Sequence, residues 1–213
     1  MAKAVYNEIF KRFDGCSFLA EVREQASKHG GLVHLQNQLL NDIGEKNVKI
    51  SQADRGSKLI KERLQGKKIL LILDDVDHPR QLNVLAGGIS WFGPGSRIII
   101  TTRDEHVLKL GQVTNNNIYK PEGLDEKQSL RLFSMHAFRK DQPPEDYMQL
   151  SKNMVSHAGG LPLTLEVLGS FLFDMNGKEK WECALQKLEK VLPDEVQNKV
   201  KISYDGLEEE EKD

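Results

Sequence analysis

The stretch Lys68-Ile-Leu-Leu-Ile-Leu-Asp-Asp75 decides the fold of this chain. Its first six residues show no alternation of polar and apolar side chains, and the run stops at two carboxylates. Strands with this pattern are buried on both faces of a parallel sheet, because helices cover both faces. We therefore predict a buried parallel strand that ends at Asp74 and Asp75.

A second run, Arg97-Ile-Ile-Ile-Thr-Thr102, follows the turn Gly93-Pro-Gly95 and ends at Arg103. We interpret it as another strand of the same buried kind, and the residues from Cys16 to Val22 as a shorter strand. Around these strands, apolar side chains recur at the helical period. Strands that alternate with helices predict an α/β sheet up to about residue 122. The predicted helical faces are Ala2, Val5, Tyr6, Ile9, Phe10 and Phe13; Leu32, Leu35, Leu39 and Ile43; and Leu59, Ile60 and Leu64.

After Gly123 the pattern predicts helices alone. Asp125 and Gln128 have the spacing of a capping box, which opens a helix that reaches Phe138. A new element is expected after Pro193. The chain therefore divides into an α/β part and a helical part. The further predicted helices run from about Glu145 to Ala158, from Pro162 to Phe173, and from about Lys178 to Val191.

The composition excludes several classes of protein. Thirty basic and 32 acidic side chains in 213 residues leave no overall field that would draw the chain to nucleic acid or to an anionic membrane. Cys16 and Cys183 lie far apart and have no partner at zinc-ligand spacing, which predicts free thiols in a reducing compartment. The longest apolar stretch, residues 161–173, is too short to span a bilayer. We expect a cytoplasmic protein, with the nucleus as the alternative.

The two predicted strands end on opposite charges, Asp74-Asp75 and Arg103. Ligands of parallel α/β sheets bind at the carboxyl ends of the strands. There, one aspartate can hold Mg²⁺, a second can orient or deprotonate an attacking water, and an arginine can bind a terminal phosphate. Acidic residues after an apolar strand also begin loops or cap helices, so these residues alone leave a purely structural role open.

Several motifs, in order along the chain, resemble one family, that of NB-ARC domains. Leu70-Leu-Ile-Leu-Asp-Asp-Val-Asp77 resembles its Walker B or kinase 2 motif, residues 95–104 its sensor motif, and Gly160-Leu-Pro-Leu163 its motif near the adenine. Residues 13–24 and 201–207 are similar to an earlier motif and to the start of its winged-helix part. Such domains occur in plant disease-resistance proteins and in relatives of the apoptotic protease-activating factor. The final Asp77 of kinase 2 resembles the plant class with a TIR signalling domain.

The resemblance implies a P-loop NTPase-like parallel sheet at residues 1–122, a helical domain at 123–192 and the start of a winged-helix domain at 193–213. It implies an ADP/ATP-dependent molecular switch, with Mg²⁺, in a plant intracellular immune receptor that signals defence. The implied partners are the TIR and leucine-rich-repeat domains of the parent receptor, with oligomerisation on activation, and neither membrane nor nucleic acid is among them. The implied site residues are Asp74 for Mg²⁺, Asp75 as the catalytic base, Arg103 as the γ-phosphate sensor, and Gly160, Leu161 and Pro162 beside the adenine.

One expected element has no counterpart in the sequence. The family cradles phosphates with a G-x-x-x-x-G-K-[ST] loop, and the 213 residues contain no such motif. The stretch from Met1 to Asn7 resembles the residues that follow this loop, and Lys3 lies in a predicted helix. We therefore expect a fragment without the loop and its central strand, which binds nucleotide weakly or not at all and is inactive as an ATPase. The parent would be a slow, regulatory ATPase.

Three alternatives stay open at this point. A true catalytic ATPase would turn over steadily once a phosphate loop is present. A winged-helix transcription regulator of the same NTPase class would need a basic recognition helix, whereas the run Glu208 to Glu211 near the end of the sequence is acidic. A partner-binding scaffold would keep Asp74, Asp75 and Arg103 without using nucleotide.

Overall fold

A computed structural model describes residues 1–45, 48–111, 113–175 and 177–189. The chain divides into two compact units, one ending at Tyr119 and the other beginning at Lys120. The finer limits expected at residues 122 and 192 stay predictions. The described elements, in chain order, are α1 (Ala2–Ile9), β1 (Gly15–Leu19), α2 (Val22–Ser27), α3 (Gly31–Asp42), α4 (Ala53–Leu64), β2 (Ile69–Leu73), α5 (Pro79–Ala86), β3 (Arg97–Ile100), α6 (Glu105–Leu110), α7 (Glu126–Phe138), α8 (Met148–His157), α9 (Pro162–Phe173) and α10 (Lys178–Glu189).

The first unit is built on a three-stranded parallel sheet in the order β1-β2-β3. The central strand is β2, whose five residues are all fully buried. This confirms the prediction that the unbroken apolar run is a strand with both faces covered, because no residue of it meets solvent. Helices follow the strands in alternation, as expected of an α/β sheet.

Successive side chains of β2 point to opposite faces of the sheet and enter two separate apolar clusters. Ile69, Leu71 and Leu73 enter a cluster of 17 buried side chains that includes residues of α3, α4 and α5. Leu70 and Ile72 enter a cluster in which only Ala2 of α1 is also buried. We call these the large face and the small face of the sheet.

The first strand is shorter than predicted. It ends at Leu19, and Val22, which was expected to close the strand, instead begins the short helix α2. The reason is local, since Glu21 adopts a left-handed conformation with φ of 52° and turns the chain away from the sheet. The predicted helical face from Ala2 to Phe13 is also interrupted, because α1 ends at Ile9 and a 3-10 turn follows.

The third strand differs from β2 despite its similar sequence. It ends at Ile100 rather than Thr102, and Ile98, Ile99 and Ile100 are only half-buried. Its prediction as a strand buried like β2 was therefore wrong in burial, although right in position. In the described part of the chain β3 pairs with β2 alone, so one of its edges carries no ladder.

The second unit is helical in its described part, as predicted. Asp125 and Gln128 form the predicted capping box at the start of α7, with the Gln128 N–H donating to Asp125 Oδ1 over 2.8 Å. Pro162 occupies the first turn of α9, as expected of proline at that position. Trp181 of α10 is buried and meets the ring of Phe133 of α7 edge to face.

Two predictions fall outside the described residues. Val191 was expected to end the last helix, which is described as far as Glu189. The element expected after Pro193, with its winged-helix resemblance at residues 201–207, lies there as well. Among the described residues no helix is long and apolar enough to cross a membrane.

Candidate functional site

Asp74 follows directly on β2 and is fixed by both neighbouring strands. Its N–H donates to the Leu19 carbonyl at the end of β1 over 2.9 Å. Its carboxylate Oδ1 accepts a hydrogen bond of 2.6 Å from the Thr101 hydroxyl, which follows β3. The side chain is thus held at the carboxyl end of the sheet, where parallel α/β sheets bind ligands.

Asp75 adopts a left-handed backbone conformation with φ of 56°. This conformation costs a non-glycine residue roughly 1–2 kcal/mol and is commonest for Asn and Asp. The Asp75 N–H donates to Thr101 Oγ1 over 2.8 Å, so one hydroxyl connects both aspartates. Strained residues of this kind cluster at functional sites, which favours a specific role for the Asp75 carboxylate.

Two arginines contact the Asp75 carboxylate, one on each oxygen. Arg103 Nε lies 3.3 Å from Oδ1, and its side chain is 71% exposed. Arg23 Nε lies 3.0 Å from Oδ2, and its side chain is 43% exposed. The structure therefore brings Asp74, Asp75 and Arg103 together, as expected from the ends of adjacent strands, and adds a second arginine.

Sequence reasoning gave no role to Thr101 or to Arg23. Thr101 stands beside Thr102 in a predicted strand, where threonine is common for its branched side chain alone. Arg23 follows a segment predicted as a strand, whereas the turn at Glu21 and the start of α2 direct it to the end of β2. The sequence does contain a hint of a role for Thr101, because Thr101 stands two residues before the predicted site residue Arg103.

The residues after Asp75 form the start of α5 rather than a ligand site. His78 is the N-cap, and its Nδ1 accepts from the Arg80 N–H over 3.1 Å. Gln81 completes the capping box, and its Nε2 donates to Asp77 Oδ1 over 2.7 Å. Both His78 and Asp77 therefore have structural partners. A cavity of about 270 Å³ adjoins this start of α5, and its lining consists of Arg23, Ala26, Ser27, Leu32, Asp77, His78, Arg80 and Gln81.

The predicted adenine-proximal residues belong to the second unit. Gly160 has a φ of 74°, and a side chain there would meet the Leu124 carbonyl oxygen at 2.6 Å. The Gly160 carbonyl accepts from the Leu124 N–H over 2.8 Å, which ties the start of α9 to the segment before α7. Leu161 is 42% exposed, so its apolar side chain is accessible, and Pro162 opens α9.

The carboxylates fit a magnesium ion that arrives with phosphate. In the described part of the chain, no cluster of three His, Cys, Asp or Glu side chains could hold a metal ion by itself. Magnesium in nucleotide sites is held by one or two carboxylates together with phosphate oxygens and water. Asp74 meets this requirement, because only its Oδ1 accepts a hydrogen bond from the described residues and Oδ2 faces no donor.

Comparisons with known proteins agree on one family. The family described as NB-ARC domain matches residues 1–143. Disease resistance protein RUN1 of Vitis rotundifolia is 41% identical over 214 residues, which cover 100% of this chain and 16% of that protein. TMV resistance protein N of Nicotiana glutinosa is 38% identical over 215 residues, which cover 98% of this chain and 18% of that protein. Probable disease resistance protein RPP1 of Arabidopsis thaliana is 36% identical over 218 residues, which cover 100% of this chain and 18% of that protein. The chain thus spans less than a fifth of the length of each of these relatives.

Proposed function

This chain belongs to the NB-ARC domain family, and from that premise we propose that it forms part of an ADP/ATP-dependent switch in a plant disease-resistance receptor. One observation carries the proposal. At the carboxyl ends of adjacent parallel strands, the Thr101 hydroxyl joins the Asp74 carboxylate to the Asp75 N–H, and Arg103 contacts the Asp75 carboxylate. Acidic and basic groups at this edge of a sheet suit a phosphate that carries Mg²⁺.

Each residue receives a role from its geometry. Asp74 would hold Mg²⁺ through Oδ2, because Thr101 occupies Oδ1. Arg103 would bind the terminal phosphate, since its guanidinium is largely exposed and, among the described residues, is held by one contact of 3.3 Å. Asp75 would orient or deprotonate water once Arg103 leaves its Oδ1, because both carboxylate oxygens otherwise contact arginine. Magnesium supplies charge compensation for the phosphates when bound.

The resemblance gives the second unit a part in nucleotide binding. The exposed Leu161 and the start of α9 at Gly160 and Pro162 offer an apolar surface that suits a planar base. Exchange of ADP for ATP would switch the state of the parent receptor, and slow hydrolysis would reset it. The parent receptor would act in the cytoplasm or nucleus, with TIR and leucine-rich-repeat domains and self-association as its means of signalling.

The 213 residues by themselves would bind nucleotide weakly. They contain no glycine-lysine loop, so the backbone N–H groups that cradle phosphates in the family have no equivalent among them.

Variants of a chain extended upstream through a glycine-lysine loop test the residue roles. We expect Asp74→Asn to abolish the dependence of ATP affinity on Mg²⁺, and Arg103→Gln to weaken ATP binding about tenfold while ADP binding changes less than twofold. Arg12→Gln, an exposed change outside the site, is the matched control. Equal effects of Arg103→Gln on ADP and ATP would refute the phosphate-sensing role. If no version binds nucleotide, a partner-binding scaffold replaces the switch.

A further inference from the structure

The two arginines on Asp75 are held in very different ways. Arg23 is anchored through its backbone, since its N–H donates to the Asp75 carbonyl over 3.1 Å, and the neighbouring Val22 N–H donates to the Asp74 carbonyl over 2.8 Å. The Arg23 side chain that contacts Asp75 therefore belongs to a residue whose backbone is hydrogen-bonded to Asp75. The backbone of Arg103 makes no such bond to Asp74 or Asp75 in the described part of the chain.

The side chains show the same difference. Arg23 contacts Asp75 at 3.0 Å and is 43% exposed, whereas Arg103 contacts it at 3.3 Å and is 71% exposed. An exposed ion pair contributes little and is easily exchanged for water or another anion, because solvent screens it and side-chain entropy opposes it. A pair whose backbones are joined loses less entropy when it forms.

From this asymmetry we propose that Arg23 is a positioning residue: it keeps the Asp75 carboxylate at the end of β2 while Arg103 leaves that carboxylate for an anionic phosphate. Arg23 is the fixed arm of the pair and Arg103 the exchangeable arm. This inference rests on the proposed nucleotide switch for its second half, the departure of Arg103 to phosphate. Its first half, the unequal strength of the two pairs, concerns this chain alone.

The left-handed backbone of Asp75 explains why a fixed contact from Arg23 is needed to orient the carboxylate. With φ of 56° the Asp75 backbone is held by its N–H bond to Thr101 Oγ1 and by its carbonyl, which accepts from the Arg23 N–H. Neither bond sets the direction of the carboxylate, whose two oxygens contact the arginines. If both arginines were exchangeable, the carboxylate would lose its direction whenever a phosphate competed for them. If Arg23 keeps its contact with Oδ2, Oδ1 stays directed toward Arg103, which follows the end of β3.

Double-mutant cycles on the 213-residue chain test the unequal arms. The variants Arg23→Gln, Arg103→Gln and Asp75→Asn, alone and combined, are unfolded in urea. We expect a coupling of about fivefold in the unfolding equilibrium constant for Arg23 with Asp75 and of less than twofold for Arg103 with Asp75. Arg131 with Asp141, an exposed pair at 3.4 Å in the second unit, is the matched control and should also couple less than twofold. Equal or reversed couplings at Asp75 would overturn the assignment.

Turnover in the loop-extended chain tests the positioning role. We expect Arg23→Gln to lower kcat for ATP about tenfold with KM and ADP affinity changed less than twofold, and Arg23→Lys to restore part of the rate. A variant that loses ADP affinity and turnover together would show a merely structural role and overturn the proposal. An extended wild-type chain that binds no nucleotide refutes the switch itself, whereas equal couplings in the cycles refute the fixed arm even where nucleotide binds.

Discussion

The large and small faces of the sheet share one central strand but differ in how they are covered. On the large face, Ile69, Leu71 and Leu73 pack among buried side chains of five helices, α2 to α6. On the small face, Leu70 and Ile72 are equally buried, yet among the described residues their cluster has one other buried member, Ala2 of α1, and its remaining neighbours are only partly buried. Val5 and Phe10 on this side are exposed. Complete burial of a strand therefore does not show how many buried side chains pack against each of its faces.

The difference has consequences for stability across the unit. Local opening takes least free energy where few apolar contacts are lost, so the small face should open before the large one. The carboxylates and arginines lie at the ends of the strands, where backbone N–H groups of α2 donate to the carbonyls of Asp74 and Asp75. Their geometry then depends on the large face, through β2 and α2, more than on α1.

The largest expected effect is a loss of unfolding free energy when one leucine on each face of the sheet is replaced by alanine. Leu71→Ala should cost about 4 kcal/mol of unfolding free energy and Leu70→Ala about 2.5 kcal/mol, because α1 can close part of the cavity left by Leu70. Both residues are fully buried neighbours in β2, so each is the control for the other. Urea unfolding followed by circular dichroism measures the two losses. Equal losses would mean that the two faces are equally firm.

Hydrogen exchange sharpens the comparison without a mutation. Amides of α1 should exchange roughly 100-fold faster than those of α3, relative to unfolded peptide rates, because a gap of about 2.7 kcal/mol in local opening corresponds to this factor. Both helices carry regular backbone hydrogen bonds, so the difference would report packing. Similar protection in the two helices would contradict a weak small face.

An ion pair on the large face makes its stability depend on pH. A hydrogen bond from Lys67, together with the charges of Lys67 and Arg63, lowers the pKa of Glu45. A lowered pKa stabilises the folded state above the unfolded pKa of about 4.5, and this contribution is lost as pH falls through the folded pKa. We expect Glu45→Gln to destabilise the chain at pH 7 and to approach the wild type as the pH falls through the lowered folded pKa of Glu45. A difference independent of pH would exclude the ion pair as its cause.

The smallest expected effect concerns the thiol on the small face. Burial raises the pKa of Cys16, whose thiol donates to the Phe10 carbonyl, whereas Cys183 is exposed. At pH 7.5 we expect a disulfide reagent to label Cys16 more slowly than Cys183, because Cys16 is partly buried and burial disfavours its thiolate. The Cys16 rate should keep rising up to pH 9. Labelling of Cys16 as fast as Cys183 at neutral pH would mean that α1 opens freely.

The sequence predicts most where a residue's environment follows from its own neighbours in the chain. The run Ile69 to Leu73 indicates a strand with both faces covered, and the structure agrees. Asp125 and Gln128 indicate a helix start, because a capping box is a local interaction. The family was likewise confirmed, since its motifs are short segments in a fixed order.

The sequence predicts least where the environment depends on a distant partner. The run from Ile98 to Ile100 resembles β2, yet its burial depends on which strand pairs with its outer edge. Arg23 was missed because its contact with Asp75 requires the left-handed turn at Glu21, for which the sequence shows no glycine or asparagine. The roles of Asp74, Asp75 and Arg103 stay predictions, although Arg103 contacts the Asp75 carboxylate and the Thr101 hydroxyl joins the two aspartates.

The affinity of ADP for this chain, measured by calorimetry beside a version extended upstream through a glycine-lysine loop, tests the central claim most directly. We predict micromolar binding by the extended version and no measurable binding by the 213 residues, because the phosphates need the loop's backbone N–H groups. Micromolar binding by the 213 residues alone would contradict the role given to the loop. Absence of binding by both versions would contradict the nucleotide switch itself.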